Sequence, residues 1–209
     1  MTEFGKFRVD EFLAALGSQE PAPGGGTAAA VSGAMGAALV EMVAALTLGK
    51  EKFADVHPAM GAILEAASVA RAEMLSLARE DALAYEAVVA ARRMPRENEE
   101  EKAARARAID AANRLATEVP MRTARTAVLL LAALPELAEK GNPNAVSDAG
   151  TAALLLTASA EGALLNVGIN LPGVKDPVFV GQMQGETADL LGQAQRLRSK
   201  VLESVRKKF

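Results

Sequence analysis

Apolar residues recur at spacings of three and four along most of the chain, and this period predicts helices rather than strands. The clearest example extends from His57 to Arg93, where small and apolar side chains follow this spacing without a break. At a rise of 1.5 Å per residue, the segment predicts one helix about 50 Å long. Pro58 and Pro95 mark its two ends, because proline suits a first helical turn and disfavours helix in the residue before it.

The same period predicts further helices on both sides of this segment, with proline and glycine residues between them. We expect a short first helix ending at Gly17, a helix from Thr27 to Gly49, a helix or kinked pair around Pro120, a short turn from Pro135 to Gly141, a helix running to about Asn166 and a last helix from about Val180 to Lys207. Ser147 is predicted to be the N-cap of the helix that ends near Asn166. Residues 168–179 are predicted to form an irregular connection.

Composition agrees with an all-α fold. Half of the 209 residues are apolar, only 3% are aromatic, and alanine, the best helix former, is the commonest residue. No repeat, linker or change in composition divides the chain. We therefore predict one domain, 1–209, built as a bundle of long Ala-rich helices.

Charge and residue usage exclude several kinds of partner. The 23 basic and 26 acidic side chains form no long basic stripe, so nucleic acid is not expected. The absence of cysteine excludes disulfides and thiolate chemistry and fits a cytoplasmic protein; no metal site and no secretory signal are predicted. Residues 27–49 are long enough to span a membrane, but the central Glu41 and the many small residues argue against a membrane partner.

The segment from Pro21 to Lys52 joins three glycines, Gly24, Gly25 and Gly26, to a helix of small side chains. Glycine lets backbone N–H groups converge, and a helix N-terminus adds unpaired amides, so the loop is a candidate anion or carbonyl cradle. Without further context, a flexible turn explains the glycines equally simply. The small residues of the helix allow other helices to approach it closely.

Three charged residues are candidates for chemistry. Asp81 lies on the apolar stripe of its helix, where a carboxylate is costly unless it is paired or faces a wet cavity, and Tyr85 is its only obvious local partner. Asp148 belongs to a predicted first helical turn, where a carboxylate is also favoured simply because it interacts well with the helix dipole. Lys50 follows a predicted helix C-terminus, where a cation is favoured for the same reason.

Five blocks of sequence carry a resemblance to a known family: PAPGGGTAAA, LTLGKEKF, DALAYEAVVAARRMP, GNPNAVSDAGTAALLL and LNVGINL. In this order and spacing they resemble the cyclodeaminase half of formiminotransferase-cyclodeaminase and the stand-alone methenyltetrahydrofolate cyclohydrolases of the same family. The resemblance implies an all-helical subunit that dimerises through its helices. It also implies a folate-binding cleft at the subunit interface, with a tetrahydrofolate derivative as substrate and no permanently bound cofactor.

The resemblance also implies roles for individual residues. Lys50, Asp81 and Asp148 match the family's catalytic positions. Either Asp could transfer the proton, and Asp148 could instead hold the pterin; the glutamate tail of folate suits Lys50, Lys52, Arg92 or Arg93. The expected substrate-binding residues are Pro23, Gly24, Gly25, Gly26, Lys52, Asn144 and Ser147. Asn142, Asn144 and Asn166 are turn and helix-end residues first and folate hydrogen-bonders second.

The function expected first is the cyclodeaminase reaction, which converts 5-formiminotetrahydrofolate to 5,10-methenyltetrahydrofolate and ammonia. The alternative is the cyclohydrolase reaction, which converts the methenyl form to 10-formyltetrahydrofolate. No formiminotransferase sequence is present, which favours either a separate formiminotransferase partner or the cyclohydrolase reaction. A non-catalytic helical dimer that binds a small acid or a protein is the second alternative.

Overall fold

The computed structural model describes residues 4–208, which form seven α-helices and no strand within that range. The all-α prediction is therefore confirmed. One short 3-10 helix, Phe4–Lys6, precedes the first α-helix, and three more lie between α-helices, at Glu51–Val56, Pro143–Ala145 and Leu171–Gly173. The α-helices are α1 Val9–Leu16, α2 Gly25–Leu48, α3 His57–Arg93, α4 Glu99–Leu131, α5 Leu134–Lys140, α6 Val146–Asn170 and α7 Pro177–Arg206.

Helices α2, α3, α4 and α6 form a four-helix bundle, in which each helix packs on two neighbours around a common core. Helix α7 packs outside the bundle against α6, α5 and α4. The start of α2 lies beside the last third of α3 and the end of α6, and the end of α2 lies beside the turn before α6. Helix α2 is therefore antiparallel to both α3 and α6.

The small residues of α2 bring its neighbours close, as predicted. A Cβ at Gly33 would overlap the sulfur of Met74 in α3 and the hydroxyl of Ser159 in α6. A Cβ at Gly36 would crowd Leu156 of α6. Only glycine fits at these crossings, so α2 is the central packing element of the bundle.

The prediction that Ser147 caps α6 is wrong. Helix α6 begins at Val146, because the 3-10 turn Pro143–Ala145 leads directly into it. That turn is capped by Asn142, whose Oδ1 accepts a hydrogen bond from the Asn144 N–H at 3.2 Å. Ser147 consequently lies inside the first turn of α6, exposed, with its carbonyl accepting from Thr151 Oγ1.

The irregular connection predicted for residues 168–179 is also largely helical. Helix α6 continues to Asn170, and α7 starts at Pro177, where Asp176 caps it by accepting from the N–H groups of Val178 and Phe179. Proline is compatible with the first turn of a helix, but the prediction took the prolines of this segment as a sign of irregular structure.

Helix α4 runs unbroken through Pro120. Proline cannot donate to the carbonyl four residues earlier, so the Ala116 carbonyl lacks its usual helical partner. Asn170 of α6 supplies a replacement, because its Nδ2 donates to Ala116 O at 2.6 Å. This bond ties the end of α6 to the middle of α4.

Within the described range, two helical segments, Gly25–Leu48 and Pro143–Gly173, are long and apolar enough to cross a membrane by length and composition. Half of the most apolar window in each is buried inside the protein. Both segments supply core residues to the bundle, which accounts for their apolar character.

Candidate functional site

A cleft of about 360 Å³ opens at the end of the bundle where α2 begins. Its walls come from the glycine loop, the last third of α3, the middle of α4, the end of α6 and the turn that follows α6. The volume is in the range of small-molecule sites. Gly24, Gly25, Gly26 and Asp81 all line this cleft, so the structure brings these four predicted residues together.

Asp81 lies directly against the first turn of α2. A Cβ at Gly26 would overlap the Asp81 carboxyl group, so the absence of a side chain at Gly26 makes room for it. Thr27 Oγ1 donates a hydrogen bond to Asp81 Oδ2 at 2.9 Å, and Thr27 itself is fully buried. Thr27, rather than the neighbouring Tyr85, is therefore the partner of Asp81. Sequence reasoning missed this contact because the two residues are 54 positions apart.

Burial raises the pKa of the Asp81 carboxyl above its ordinary value, because the charged form loses hydration. Hydrogen bonds from the hydroxyl and the backbone N–H of Thr27 favour the charged form and act in the opposite direction, but burial is the larger effect. A carboxyl with a raised pKa in a cleft can donate a proton to a bound ligand.

Three asparagines complete the polar lining of the cleft. Asn113 comes from α4, and Asn166 and Asn170 come from the last turns of α6. Only Asn166 was considered from the sequence. Asn170 follows Asn166 by one helical turn. Its sequence signal was indirect: Pro120 leaves one helical carbonyl without its usual partner, and a side-chain amide can supply a replacement.

The mouth of the cleft carries Tyr85 and Arg92, both on the exposed side of α3. Tyr85 is 41% exposed. Arg92 places a positive charge there, and its expected role toward the glutamate tail of folate stays a prediction. Pro23, predicted to bind substrate, is buried next to the glycines.

The other predicted site residues lie at the opposite end of the bundle. Lys50 and Lys52 follow the end of α2, and Asn144, Ser147 and Asp148 lie at the start of α6. Lys52 Nζ lies 4.9 Å from the centroid of the Phe53 ring. The length of α2 puts this group about 35 Å from the glycine loop. Within one chain, the two groups cannot act on the same small molecule.

The Gly141–Asn144 turn has a structural role at this second end. The Asn142 N–H donates to Thr47 Oγ1 at 2.9 Å, and Asn142 Nδ2 donates to Leu46 O at 3.3 Å. These bonds dock the turn on the last residues of α2. Asn142 is 4% exposed, so this asparagine is part of the packing.

Within residues 4–208, no three His, Asp or Glu side chains converge as a metal ion would require. Glu41, the charged residue inside α2, forms an ion pair with Arg71 of α3 at 2.6 Å. The charge inside the small-residue helix is therefore paired with a cation of the neighbouring helix.

Comparison with known proteins shows the class to which this chain belongs. The sequence model described as formiminotransferase-cyclodeaminase matches residues 8–189, and the chain belongs to that family. Two of the relatives described below are enzymes named for tetrahydrofolate derivatives, a cyclohydrolase and a cyclodeaminase.

Three individual relatives define the likeness more closely. A methenyltetrahydrofolate cyclohydrolase of Methylorubrum extorquens is 40% identical over 204 residues, which cover 98% of each chain. A formimidoyltransferase-cyclodeaminase of Sus scrofa is 38% identical over 92% of this chain, which spans only 36% of that longer protein. The crystal structure of a formiminotetrahydrofolate cyclodeaminase from Thermotoga maritima superposes with a TM-score of 0.87 at 33% identity, covering 97% of this chain and 98% of the other.

Proposed function

We propose that this chain is a folate one-carbon enzyme with its reaction centre in the Asp81 cleft, and that it catalyses the cyclodeaminase reaction. The observation that carries the proposal is the partly buried carboxyl of Asp81, whose pKa is raised and which lies against the glycine loop. A carboxyl that holds its proton suits a reaction in which a nitrogen must be protonated before it leaves.

In this reaction N10 of the substrate attacks the formimino carbon bound to N5. A tetrahedral carbon forms, with N5, N10 and an amino group attached, as the N10 proton moves to the former imine nitrogen. Asp81 then donates its proton to the amino group, the carbon–nitrogen bond breaks and ammonia leaves. The N5 lone pair forms the methenyl cation, and Asp81 regains a proton from solvent.

The ionised form of Asp81 exists for part of each turnover, and the Thr27 hydroxyl stabilises it by the hydrogen bond at 2.9 Å. The first-turn amides of α2 contribute the positive end of the helix dipole at the same place. Asp81 can therefore both release and recover a proton within one site.

The second candidate is the cyclohydrolase reaction, favoured by the 40% identity to the Methylorubrum enzyme over nearly the whole length of both chains. Here the carboxylate of Asp81 would take a proton from the water that attacks the methenyl carbon. It would return that proton to N5 as the carbon–N5 bond breaks, while the hydroxyl on the tetrahedral carbon loses its own proton to solvent and becomes the carbonyl of the formyl group on N10. This reaction requires Asp81 to start ionised, whereas the cyclodeaminase reaction requires it to start protonated.

One preparation tests both candidates. Incubation with 5-formiminotetrahydrofolate should make the methenyl absorbance appear, and incubation with 5,10-methenyltetrahydrofolate should make it disappear faster than in buffer if the second candidate holds. The ratio of the two turnover numbers assigns the main reaction. If neither absorbance change exceeds the buffer rate, the proposal is wrong.

We further propose that two copies of this chain pair across the outward faces of α2 and α6. These adjoining faces are apolar over most of their length, and they expose Met35 and Met42 of α2 and Leu154 and Leu165 of α6 by 38–76%. Ser32 Oγ of α2 donates to Leu155 O of α6, which joins the two faces into one surface. Exposed apolar patches of this kind mark protein contacts.

An antiparallel pairing of two copies would explain why the predicted site residues lie at opposite ends of one chain. It would bring the Lys50 and Asp148 end of one copy to the glycine-loop end of the other. Sedimentation at micromolar concentration should then give twice the chain mass, and Leu154→Lys should give monomers with the helix content unchanged. A wild-type monomer would contradict this arrangement.

A further inference from the structure

The three asparagines of the cleft share one hydrogen-bonding arrangement. Asn113 Nδ2 donates to Gly173 O at 2.9 Å, and Asn170 Nδ2 donates to Ala116 O at 2.6 Å. Asn166 Nδ2 donates to Gly162 O at 2.8 Å. Each amide nitrogen is therefore held by a backbone carbonyl, and this fixes which way each side-chain amide is turned.

The three Oδ1 atoms are left as acceptors. None of them receives a hydrogen bond from another group of the described residues. Asn113 lines the cleft, and its Oδ1 receives no hydrogen bond from a described residue. Amide oxygens that line a cleft and have no protein donor are free to accept from the N–H groups of a ligand.

We propose that these three oxygens bind the donor edge of the reduced pterin ring. This inference rests on the folate substrate proposed above and identifies the part of the substrate that each wall of the cleft contacts. A tetrahydropterin carries N–H donors at N3, N8 and the 2-amino group, and neutral amide oxygens are suitable acceptors for them. The asparagines would thus orient the pterin, while Asp81 acts at the carbon between N5 and N10.

The choice of amides over carboxylates has a physical reason. An amide, unlike a carboxylate, can donate to the carbonyls of Gly162, Gly173 and Ala116 and still accept from a ligand. A carboxylate in the same position would leave the carbonyl without a partner. It would also add negative charge to the cleft and raise the pKa of Asp81 further.

Glycine at position 173 supports this wall. A Cβ there would overlap the Asn113 side-chain amide, so the turn after α6 approaches α4 as closely as it does only because residue 173 is glycine. The three asparagines are therefore positioned by backbone contacts from three separate segments.

The test is a binding cycle that needs no turnover. Dissociation constants are measured by calorimetry for tetrahydrofolate and for two analogues, one with methyl in place of the 2-amino group and one with carbon in place of N8. Wild-type protein should bind at least one analogue roughly ten-fold more weakly than tetrahydrofolate, as expected for a donor and acceptor left unpaired.

The variants are Asn166→Ala, Asn170→Ala and the double variant. We expect each to bind tetrahydrofolate roughly ten-fold more weakly and to lose most of the discrimination against at least one analogue. Asn166 bonds only within its own helix, so its variant should fold even if loss of the Ala116 contact destabilises the Asn170 variant. Gln193→Ala, an exposed amide on α7, is the control and should bind as wild type.

Unchanged discrimination in every folded variant would overturn the inference, and so would the absence of tetrahydrofolate binding by the wild type. If the asparagine variants lose discrimination against an analogue but the wild type catalyses neither folate reaction, the inference stands and the proposed reaction fails. If the wild type catalyses a folate reaction but the variants keep their discrimination, only the inference fails.

Discussion

The two ends of the bundle contain the same kinds of residues but differ in their surroundings. At one end, Asp81 is packed against Gly26 and Thr27 and lines a cleft with three amides. At the other, Lys52 is exposed, and Lys50 and Asp148 are partly exposed. Helix α2 separates the two ends by about 35 Å.

The difference shows that a charged residue in a helix turn becomes chemically distinctive only through its surroundings. Asp148 occupies the first turn of α6, where a carboxylate is favoured by the helix dipole alone. Asp81 lies within α3, away from either helix end, and the raised pKa of its carboxyl comes from burial. Within the described residues, the cleft at the Asp81 end is therefore the candidate site, and we propose that the other end takes part only through a second copy of the chain.

The largest effect is expected from Asp81→Asn. The amide can still accept from Thr27 but cannot donate an acidic proton, so turnover should fall by roughly 10²–10⁴-fold. The pKa of Asp81 is higher in the folded than in the unfolded state, so ionisation of this carboxyl destabilises the fold as the pH rises through the folded-state pKa. The variant has no such ionisation, and its Tm at pH 8 should therefore be no lower than that of the wild type. Glu80→Gln, which alters the neighbouring carboxylate outside the cleft, is the matched control. Equal loss in both variants would argue against a special role for Asp81.

A mixing experiment tests whether the two ends cooperate across copies. Asp148→Asn should also lower turnover if the ends meet in an antiparallel dimer. Refolding equal amounts of Asp81→Asn and Asp148→Asn together should then restore about a quarter of wild-type activity, because half of the dimers are mixed and each contains one intact site. If both variants are inactive alone and mixing them restores no activity, the two residues act within the site of one chain, and the proposed antiparallel arrangement is wrong. Full activity of Asp148→Asn alone would show that the second end is not needed.

Gly26→Ala tests the close contact at the formed end. The added methyl group would overlap the Asp81 carboxyl, so we expect a loss of about 1–3 kcal/mol in unfolding free energy and a drop in turnover of about ten-fold or more. Gly61→Ala is the control, because a Cβ there meets nothing within 4 Å and alanine should stabilise α3 by about 0.5–1 kcal/mol. Equal behaviour of the two variants in denaturant titrations and assays would mean that the Gly26 contact is unimportant.

The smallest effect is expected from Thr27→Val. Loss of the hydroxyl removes a hydrogen bond that favours the ionised carboxyl, so the pKa of Asp81 should rise further. Cyclodeaminase turnover, which needs the protonated form, should decline at a higher pH than in wild type, and the change near neutrality should stay below about ten-fold. Thr27→Ser should keep the wild-type pH profile. A shift to lower pH would contradict the assigned hydrogen bond.

The long helices were predictable because their periodicity is local. The three-and-four spacing located α3 to the residue, and the small side chains of α2 correctly predicted close packing. The end of α6 was misplaced because the bond from Asn170 to α4 is a contact between distant residues that no local pattern contains. The start of α7 was misplaced although its cap, Asp176, acts locally on Val178. A proline was taken as a break where it begins a helix.

The candidate site was predictable only in part for the same reason. The glycines and Asp81 were selected for their unusual local settings, and the structure places them together. Asn113 and Asn170 have ordinary helical settings, and their position in the cleft depends on how α4 and α6 pack. The separation of Lys50 and Asp148 from the cleft follows from the direction of α2, which motif order along the chain does not reveal.

A crystal structure with 5-formyltetrahydrofolate, a non-reacting analogue of the formimino substrate, tests the central claim most directly. The account predicts the pterin between α2, α4 and the end of α6, with the formyl group of N5 within hydrogen-bond distance of the Asp81 carboxyl. Difference density for the pterin remote from Asp81, beside Asp148 and Lys50 with the glycine-loop cleft empty, would contradict it.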